Sequence, residues 1–175
     1  MPATNKNFQT ALSFTLKWEG GYVDNPNDPG KATNKGITQK VYDAYRQSHG
    51  LPTQSVRAIS QKEVDDIYLK DYWDMAKCPD LPSVLGIVQF DSAVNCGTGR
   101  AMKFLQQAVG CTADGLWGPS TATHAASCSP VTTAGTYLDE RVSYYKAIAR
   151  EHTSNEVFLK GWLNQVDSLR SYVGA

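Results

Sequence analysis

The run Trp18-Glu19-Gly20-Gly21-Tyr22 marks the point where a helix ends and a carboxylate is presented. From Asn5 onward the apolar residues recur mostly at intervals of three and four, which predicts an amphipathic helix reaching about Glu19. The two glycines then end this helix. Because Glu19 would lie at the negative end of the helix dipole beside Trp18, we expect its pKa to be raised, as a general acid near neutral pH requires.

The glycines are followed by a dense cluster of turn residues, Asn25-Pro26-Asn27-Asp28-Pro29-Gly30. Such a cluster predicts that the chain folds back sharply and returns Asp28 beside Glu19. The residues after the turn include poor strand formers, which predicts a short, irregular hairpin whose second arm ends at Ile37-Thr38. We expect these arms to form the wall of a cleft.

A purely structural interpretation of both carboxylates is also open. A glutamate before two glycines at a helix end is typical of a solvated C-cap, and Asp-Pro-Gly is typical of a simple turn. Catalysis by Glu19 and Asp28 therefore needs support from the rest of the chain.

Composition sets the outer bounds. The 175 residues, 41% of them apolar, are enough to bury a core without metals or dense disulfides. Seventeen basic and seventeen acidic residues cancel, so we expect no general attraction to nucleic acid, and recognition by a shaped cleft. There is no basic segment followed by an apolar run and no stretch of transmembrane length, so we expect synthesis in a bacterial cytoplasm without a signal peptide, and no membrane insertion.

The rest of the chain predicts helices joined by short turns. Their expected bounds are 38–49, from 60 onward, 84–94, 99–109, 119–127, 132–148 and 157–173. Ser60 with Glu63 forms a capping box at the start of the second of these. The segment 84–94 is apolar on nearly every face, which indicates a central buried helix. We therefore predict a mainly α fold, a helical bundle around this helix with one small β-hairpin lobe.

Four cysteines, at positions 78, 96, 111 and 128, allow three pairings if all are oxidised. If the helices 99–109 and 119–127 pack antiparallel, Cys96 approaches Cys128, and this is the pair we favour. Four buried free thiols are the alternative, which a cytoplasmic origin makes at least as probable. The cysteine gaps are too long for a zinc site and the histidines show no ligand spacing, so we expect no metal and no cofactor.

An ordered series of motifs resembles glycoside hydrolase family 108, the peptidoglycan lysozymes of bacteriophages and bacteria. Its N-terminal part is Glu19-Gly20-Gly21-Tyr22-Val23, Asn27-Asp28-Pro29-Gly30 and Ala32-Thr33-Asn34-Lys35-Gly36-Ile37-Thr38-Gln39. Further motifs are Tyr72-Trp73, Cys78 through Leu81-Pro82, Phe90-Asp91-Ser92-Ala93-Val94-Asn95 with Gly97, Leu105-Gln106-Gln107-Ala108 and Asp114-Gly115-Leu116-Trp117-Gly118-Pro119. The matches run from about residue 8 to residue 162, nearly the whole chain, which makes the series far more specific than any one motif.

This resemblance implies a lysozyme-like α+β fold in one domain, 1–175, with a catalytic lobe at 1–90 and a helical lobe at 91–175. The helical lobe resembles a peptidoglycan-binding region. The implied partner is the glycan strand of bacterial peptidoglycan, and we expect a monomer that does not bind nucleic acid. The segment 114–121 resembles small peptidoglycan-binding modules, although a turn before a helix with proline at its first position explains the same residues.

By the same resemblance Glu19 is the catalytic acid, with Asp28 as the second carboxylate and Thr33 as the hydroxyl. Asp24 competes for the role of second carboxylate, and Asn34 or Thr38 can hold the water in place of Thr33. One departure is visible, because the family usually has a second glycine where this chain has Lys31. This departure affects the tightness of the turn and not the acid.

Three residues are candidates for contacting the sugar. Tyr22 can stack on a sugar face. Asn34 is the second candidate. Asn95, near the end of the central helix, can project an amide into the cleft, or it can be an ordinary hydrogen-bonded core residue.

The sequence thus leaves two functional classes. The first is an N-acetylmuramidase in which Glu19 protonates the oxygen of the β-1,4 bond between N-acetylmuramic acid and N-acetylglucosamine, while Asp28 supports the oxocarbenium ion or directs a water held by Thr33. It would act at the cell wall or in the periplasm, in host cell lysis. The second is a catalytically silent cell-wall or protein-binding module on the same fold.

Overall fold

The computed structural model describes residues 3–24 and 32–175, which form eight α-helices and three short strands. The helices are α1 (Ala3–Thr15), α2 (Gln39–Ser48), α3 (Gln61–Tyr68), α4 (Ser83–Cys96), α5 (Thr98–Val109), α6 (Pro119–Ser127), α7 (Pro130–Glu151) and α8 (Glu156–Val173). The strands are β1 (Val23–Asp24), β2 (Ala32–Asn34) and β3 (Ile37–Thr38). Short 3₁₀ helices lie at Val56–Ala58, Cys78–Asp80 and Thr153–Asn155, and a π-helical turn at Leu69–Asp74. The predicted mainly α, α+β class is confirmed.

The described residues divide into two compact units. One, the hairpin unit, comprises residues 12–71, and the other, the helical unit, comprises residues 3–11 and 72–175. The lobe boundary expected at 90/91 lies within α4 and stays a prediction. In the described part of the chain, no helix combines the length and the apolar character needed to cross a bilayer.

Helix α1 ends four residues earlier than predicted. The Leu16 amide still donates to the Leu12 carbonyl (2.9 Å), but the Trp18 amide donates to Thr15, only three residues back (3.0 Å). This change from i−4 to i−3 bonding tightens the last turn and ends the α-helix before the glycines. Glu19 therefore follows a turn and is not the last residue of a helix.

The three strands form one antiparallel sheet in the order β1-β2-β3. Lys35 and Gly36 connect β2 to β3 with φ values of 50° and 76°, both in the left-handed region. Two consecutive positive φ angles are what a two-residue type I′ hairpin turn requires, and glycine adopts them most readily. The predicted small β lobe is therefore confirmed, and it contains a third strand because β2 pairs on both sides. The turn predicted at 25–30 lies outside the described residues.

The helices of the hairpin unit begin where the sequence predicts. Thr38 caps α2 by accepting from the Val41 amide (3.3 Å), and the predicted capping box of Ser60 and Glu63 opens α3. Glu63 also joins the two helices, since it forms an ion pair with Arg46 (2.7 Å). Both side chains of this pair are largely buried, with exposed fractions of 14% and 10%.

The helical unit is built around α4. Every residue from Leu85 to Ala93 is buried, which confirms the predicted central helix. A buried charge pair fixes α4 to α7, with Arg141 Nη1 2.6 Å from Asp91 Oδ2 and both side chains fully buried. The second carboxylate oxygen of Asp91 accepts from Gln165 on α8 (3.0 Å). Three helices therefore meet at one carboxylate.

All four cysteines are free thiols, so the favoured Cys96–Cys128 pair is wrong. The two thiols of the favoured pair have separate partners: Cys96 donates to the Tyr145 hydroxyl (3.3 Å), and Cys128 donates to the Ala125 carbonyl (3.2 Å). Burial raises the pKa of the Cys96 thiol, which disfavours the reactive thiolate.

Candidate active site

The carboxyl group of Glu19 lies against the turn between β2 and β3. A Cβ atom on Gly36 would lie 2.7 Å from Glu19 Oε2 and 2.5 Å from the Tyr68 hydroxyl oxygen. Glu19 itself is half-buried. The Glu19 carboxyl and the Tyr68 hydroxyl therefore both lie against Gly36, at the position that a side chain there would occupy.

Tyr68 connects α3 to this turn. It is the last residue of α3, its side chain is buried, and its hydroxyl donates to the Lys35 carbonyl (2.8 Å). Because the hydrogen of this hydroxyl is directed at Lys35, the oxygen offers lone pairs to other neighbours. Helix α3 thereby holds the hairpin turn beside Glu19.

Tyr22 and Asp24 contact one another at the start of the sheet. The Tyr22 hydroxyl donates to Asp24 Oδ2 (3.3 Å), and the Arg57 guanidinium lies 5.3 Å from the centre of the Tyr22 ring. Arg57 thus covers one face of this exposed ring by a cation–π contact. A sugar that stacks on Tyr22 would use the other face.

Asn34 anchors β2 to the 3₁₀ helix at Val56–Ala58. Its amide nitrogen donates to the carbonyls of Val56 (3.1 Å) and Arg57 (3.3 Å). Both amide hydrogens are therefore engaged by the protein, and a contact from Asn34 to sugar would use its oxygen.

Strand register places Thr33 and Asp24 on opposite faces of the sheet. Thr33 pairs with Val23 and with Thr38, so these three side chains share one face of the sheet. Asp24 pairs with Ala32 and lies on the opposite face. Asp24 and Thr33 therefore point away from each other, whereas Thr33 and Thr38 are neighbours.

Of the remaining predicted site residues, the structure describes Asn95. Asp28 is outside the described residues. Asn95 belongs to α4 in the helical unit, where its amide donates to the Asp91 carbonyl one turn back (2.8 Å). Around Glu19, the sequence did not identify Gly36 and Tyr68 as site residues. In the sequence Tyr68 is one of the apolar residues expected on the buried face of a helix. Its contact with Gly36 spans 32 positions, so no local pattern indicates it.

The motif segment after α5 has a structural explanation of its own. The Gln106 side chain donates to Asp114 Oδ1 (2.8 Å) and to the Leu116 carbonyl (2.9 Å), and it accepts from the Gly115 amide (2.8 Å). One buried glutamine thus closes the whole turn onto α5. No group of three or more potential metal ligands occurs among the described residues.

Comparison with known proteins identifies the class. Residues 12–97 match the family described as Glycosyl hydrolase 108, and residues 100–167 match the one described as Predicted Peptidoglycan domain. The solved structure of Brucella abortus SagA is 32% identical, with a TM-score of 0.79, over 97% of this chain and 94% of that chain. No curated protein matches the chain.

These matches define a glycoside hydrolase that acts on and binds peptidoglycan, with a lysozyme-like α+β fold. The chain belongs to glycoside hydrolase family 108, which confirms the resemblance seen in its motifs. The boundary between the two matched regions falls at the junction of α4 and α5.

Proposed function

We propose that this peptidoglycan hydrolase is an N-acetylmuramidase and that Glu19 is its general acid. The observation that carries the proposal is the position of the Glu19 carboxyl, which lies against Gly36 in the β2–β3 turn, where the Tyr68 hydroxyl also packs. A general acid must be fixed within hydrogen-bond reach of the leaving oxygen. In this role Glu19 protonates the glycosidic oxygen between N-acetylmuramic acid and N-acetylglucosamine.

For the second carboxylate we propose Asp28, which supports the oxocarbenium ion or directs a water held by Thr33. Asp24 is the competing residue. Its side chain is on the sheet face opposite to Thr33 and is engaged by Tyr22, which favours Asp28. The comparison of Asp28→Asn with Asp24→Asn decides between them. We expect the first to lose about 100-fold or more in rate and the second less than tenfold.

The bond and the acid are tested on purified peptidoglycan sacculi. The new reducing ends are reduced with borohydride and identified after acid hydrolysis. We expect muraminitol from the parent, since acid hydrolysis also removes the N-acetyl group, and a rate lower by roughly 10²–10⁴-fold in Glu19→Gln.

Each part of the proposal has its own contrary result. Glucosaminitol would show that the other glycosidic bond is cleaved. A Glu19→Gln variant as fast as the parent would remove the acid assignment. No reducing ends from the parent would favour the catalytically silent binding module.

The same proposal places the protein in host cell lysis, made in the cytoplasm and acting at the cell wall. A separate membrane-permeabilising protein would then have to give it access to its substrate. We expect lysis when the chain is co-expressed with such a protein, and none when it is expressed alone. Equal lysis in both cultures would contradict this route.

A further inference from the structure

A polar pocket of about 440 Å³ lies in the helical unit, between α5, α7 and the turn at 114–115. Its lining carries two cationic side chains, Arg100 and Lys103, and one carboxylate, Asp114. Its volume falls in the range typical of small-ligand sites. The mechanism proposed above does not use these residues.

The two cations of the pocket are available to a ligand. Among the residues that the structure describes, neither Arg100 nor Lys103 forms an ion pair. The one carboxylate, Asp114, accepts at Oδ1 from the Leu116 amide and from Gln106, each at 2.8 Å, and these bonds together with the charge of Lys103 lower its pKa. It offsets one of the two cationic charges. The pocket therefore has an excess of cationic donors.

The turn that closes the pocket is built to order the lysine. Gly115 has a φ of 83°, and a Cβ there would lie 3.3 Å from both Lys103 Cε and the Gly99 carbonyl. The glycine thus lets the turn pack on the Lys103 stem and on α5. Because Gln106 holds the same turn, the ammonium group is presented by a fixed surface.

The aromatic face in the pocket is covered. The Arg100 guanidinium lies 4.7 Å from the centre of the Tyr144 ring, in a cation–π contact. This face is then closed to a stacked sugar, while the outer edge of the guanidinium retains donors suited to a carboxylate.

We propose that this pocket binds a free carboxylate of the peptide stem of peptidoglycan, with Arg100 and Lys103 as donors. The inference rests on the proposed function, since it names a second contact with the same substrate. In peptide-bearing peptidoglycan the N-acetylated sugars are neutral and the negative charge lies on the peptides. A cationic pocket on a chain of zero net charge therefore selects the peptide and not the glycan.

The test is calorimetric binding of the disaccharide N-acetylglucosaminyl-N-acetylmuramyl tetrapeptide, which lacks the bond that a muramidase cleaves. The same compound with its peptide carboxylates amidated is the comparison ligand. Arg100→Gln and Lys103→Met each remove one charge and keep most of the side chain. Lys160→Met, at an exposed position on α8, is the matched control.

We expect parent and control to bind equally, and each pocket variant about tenfold more weakly. Amidation of the ligand should weaken binding to the parent by a similar factor. If a variant unfolds, the parent can be titrated with the disaccharide tetrapeptide and followed by NMR. We expect the side-chain signals of Lys103 and Tyr144 to shift.

The proposal is overturned if the amidated compound binds the parent equally well, or if both pocket variants bind like Lys160→Met. Tighter binding of glycerol 1-phosphate than of the peptide ligand would also overturn it, in favour of a phosphate site. Failure of the proposed function is seen separately, as an absence of reducing ends from sacculi treated with the parent.

Discussion

Gly36 packs directly against the carboxyl group of Glu19. A Cβ atom at position 36 would lie 2.7 Å from Glu19 Oε2 and 3.0 Å from its Cδ, which is closer than ordinary van der Waals contact allows. Gly36 also has a φ of 76°, so both the backbone and the space require glycine. The shape of the β2–β3 turn therefore sets where the Glu19 carboxyl can lie.

Gly36→Ala should impair hydrolysis more than folding. The new methyl group would push the carboxyl or the Tyr68 hydroxyl aside, and a displacement of about 1 Å at a catalytic group can cost roughly 100-fold in rate. We expect about that loss in reducing-end release. The strained backbone should cost about 1–2 kcal/mol in the free energy of unfolding.

Gly50→Ala is the control for backbone strain. Gly50 has a φ of 65° in the same unit, but a Cβ there meets nothing within 4 Å. This variant should lose similar stability and keep the parental rate. If both variants lost the same activity, the contact with Glu19 would not be the cause.

Tyr68→Phe should shift the pH dependence of hydrolysis. The Tyr68 hydroxyl gives its hydrogen to Lys35, so to other groups it can only act as an acceptor. Both it and the Glu19 carboxyl lie against Gly36, and an acceptor near a carboxyl group favours the protonated form. Without the hydroxyl, the Glu19 carboxyl should lose its proton at lower pH. The alkaline limb of the kcat/KM profile should therefore move to lower pH, and the rate should fall about tenfold. We therefore regard Tyr68 as a positioning residue.

The control for Tyr68 is Tyr45→Phe, which removes a hydroxyl that donates to Asp66 (3.0 Å) in the same unit. Loss of either hydrogen bond should cost about 1 kcal/mol in stability. Only Tyr68→Phe should change the pH profile. An unchanged profile in both variants would leave Tyr68 a purely structural role.

Local signals predicted much of this fold, and long-range contacts account for what they missed. The capping box at Ser60 and the apolar run in α4 depend on neighbouring residues, and both were found where the sequence indicated. The third strand of the sheet was not predicted, because strands of two or three residues are too short to show an alternating pattern. Within the site, Glu19 could be predicted because the glycines that follow it form a local motif. The contact of Gly36 with Tyr68 could not, because it forms only when α3 packs against the hairpin.

Glu63→Gln should make stability depend on pH differently from the parent. Burial alone would raise the pKa of Glu63, but hydrogen bonds from Ser60 and Tyr42 and the charge of Arg46 outweigh burial and lower it from 4.5. Because its pKa is lower in the folded state, ionised Glu63 stabilises the fold fully at pH values above its unfolded-state pKa. This stabilisation is lost as the pH falls through the folded-state pKa. We expect a loss of about 2 kcal/mol at pH 7 in urea unfolding, because the Arg46 charge is left unpaired.

This difference between Glu63→Gln and the parent should shrink as the pH falls below about 4. Glu151→Gln, at an exposed position near the end of α7, should follow the parent at every pH. A Glu63→Gln deficit that stays constant down to pH 2 would mean that packing, not charge, is responsible.

Asp91→Asn should be the most destabilising of these substitutions. It leaves the fully buried guanidinium of Arg141 without its counter-charge, and breaking one side of a buried pair typically costs about 3–5 kcal/mol. Asp139→Asn is the matched control, because Asp139 on α7 pairs with Arg170 on α8 at the same 2.6 Å. In that pair 72% of the Asp139 side chain is exposed. That pair should contribute less than about 1 kcal/mol, and less still in high salt. Equal shifts of the two urea midpoints would show that burial does not determine the strength of these ion pairs, because their lengths are the same.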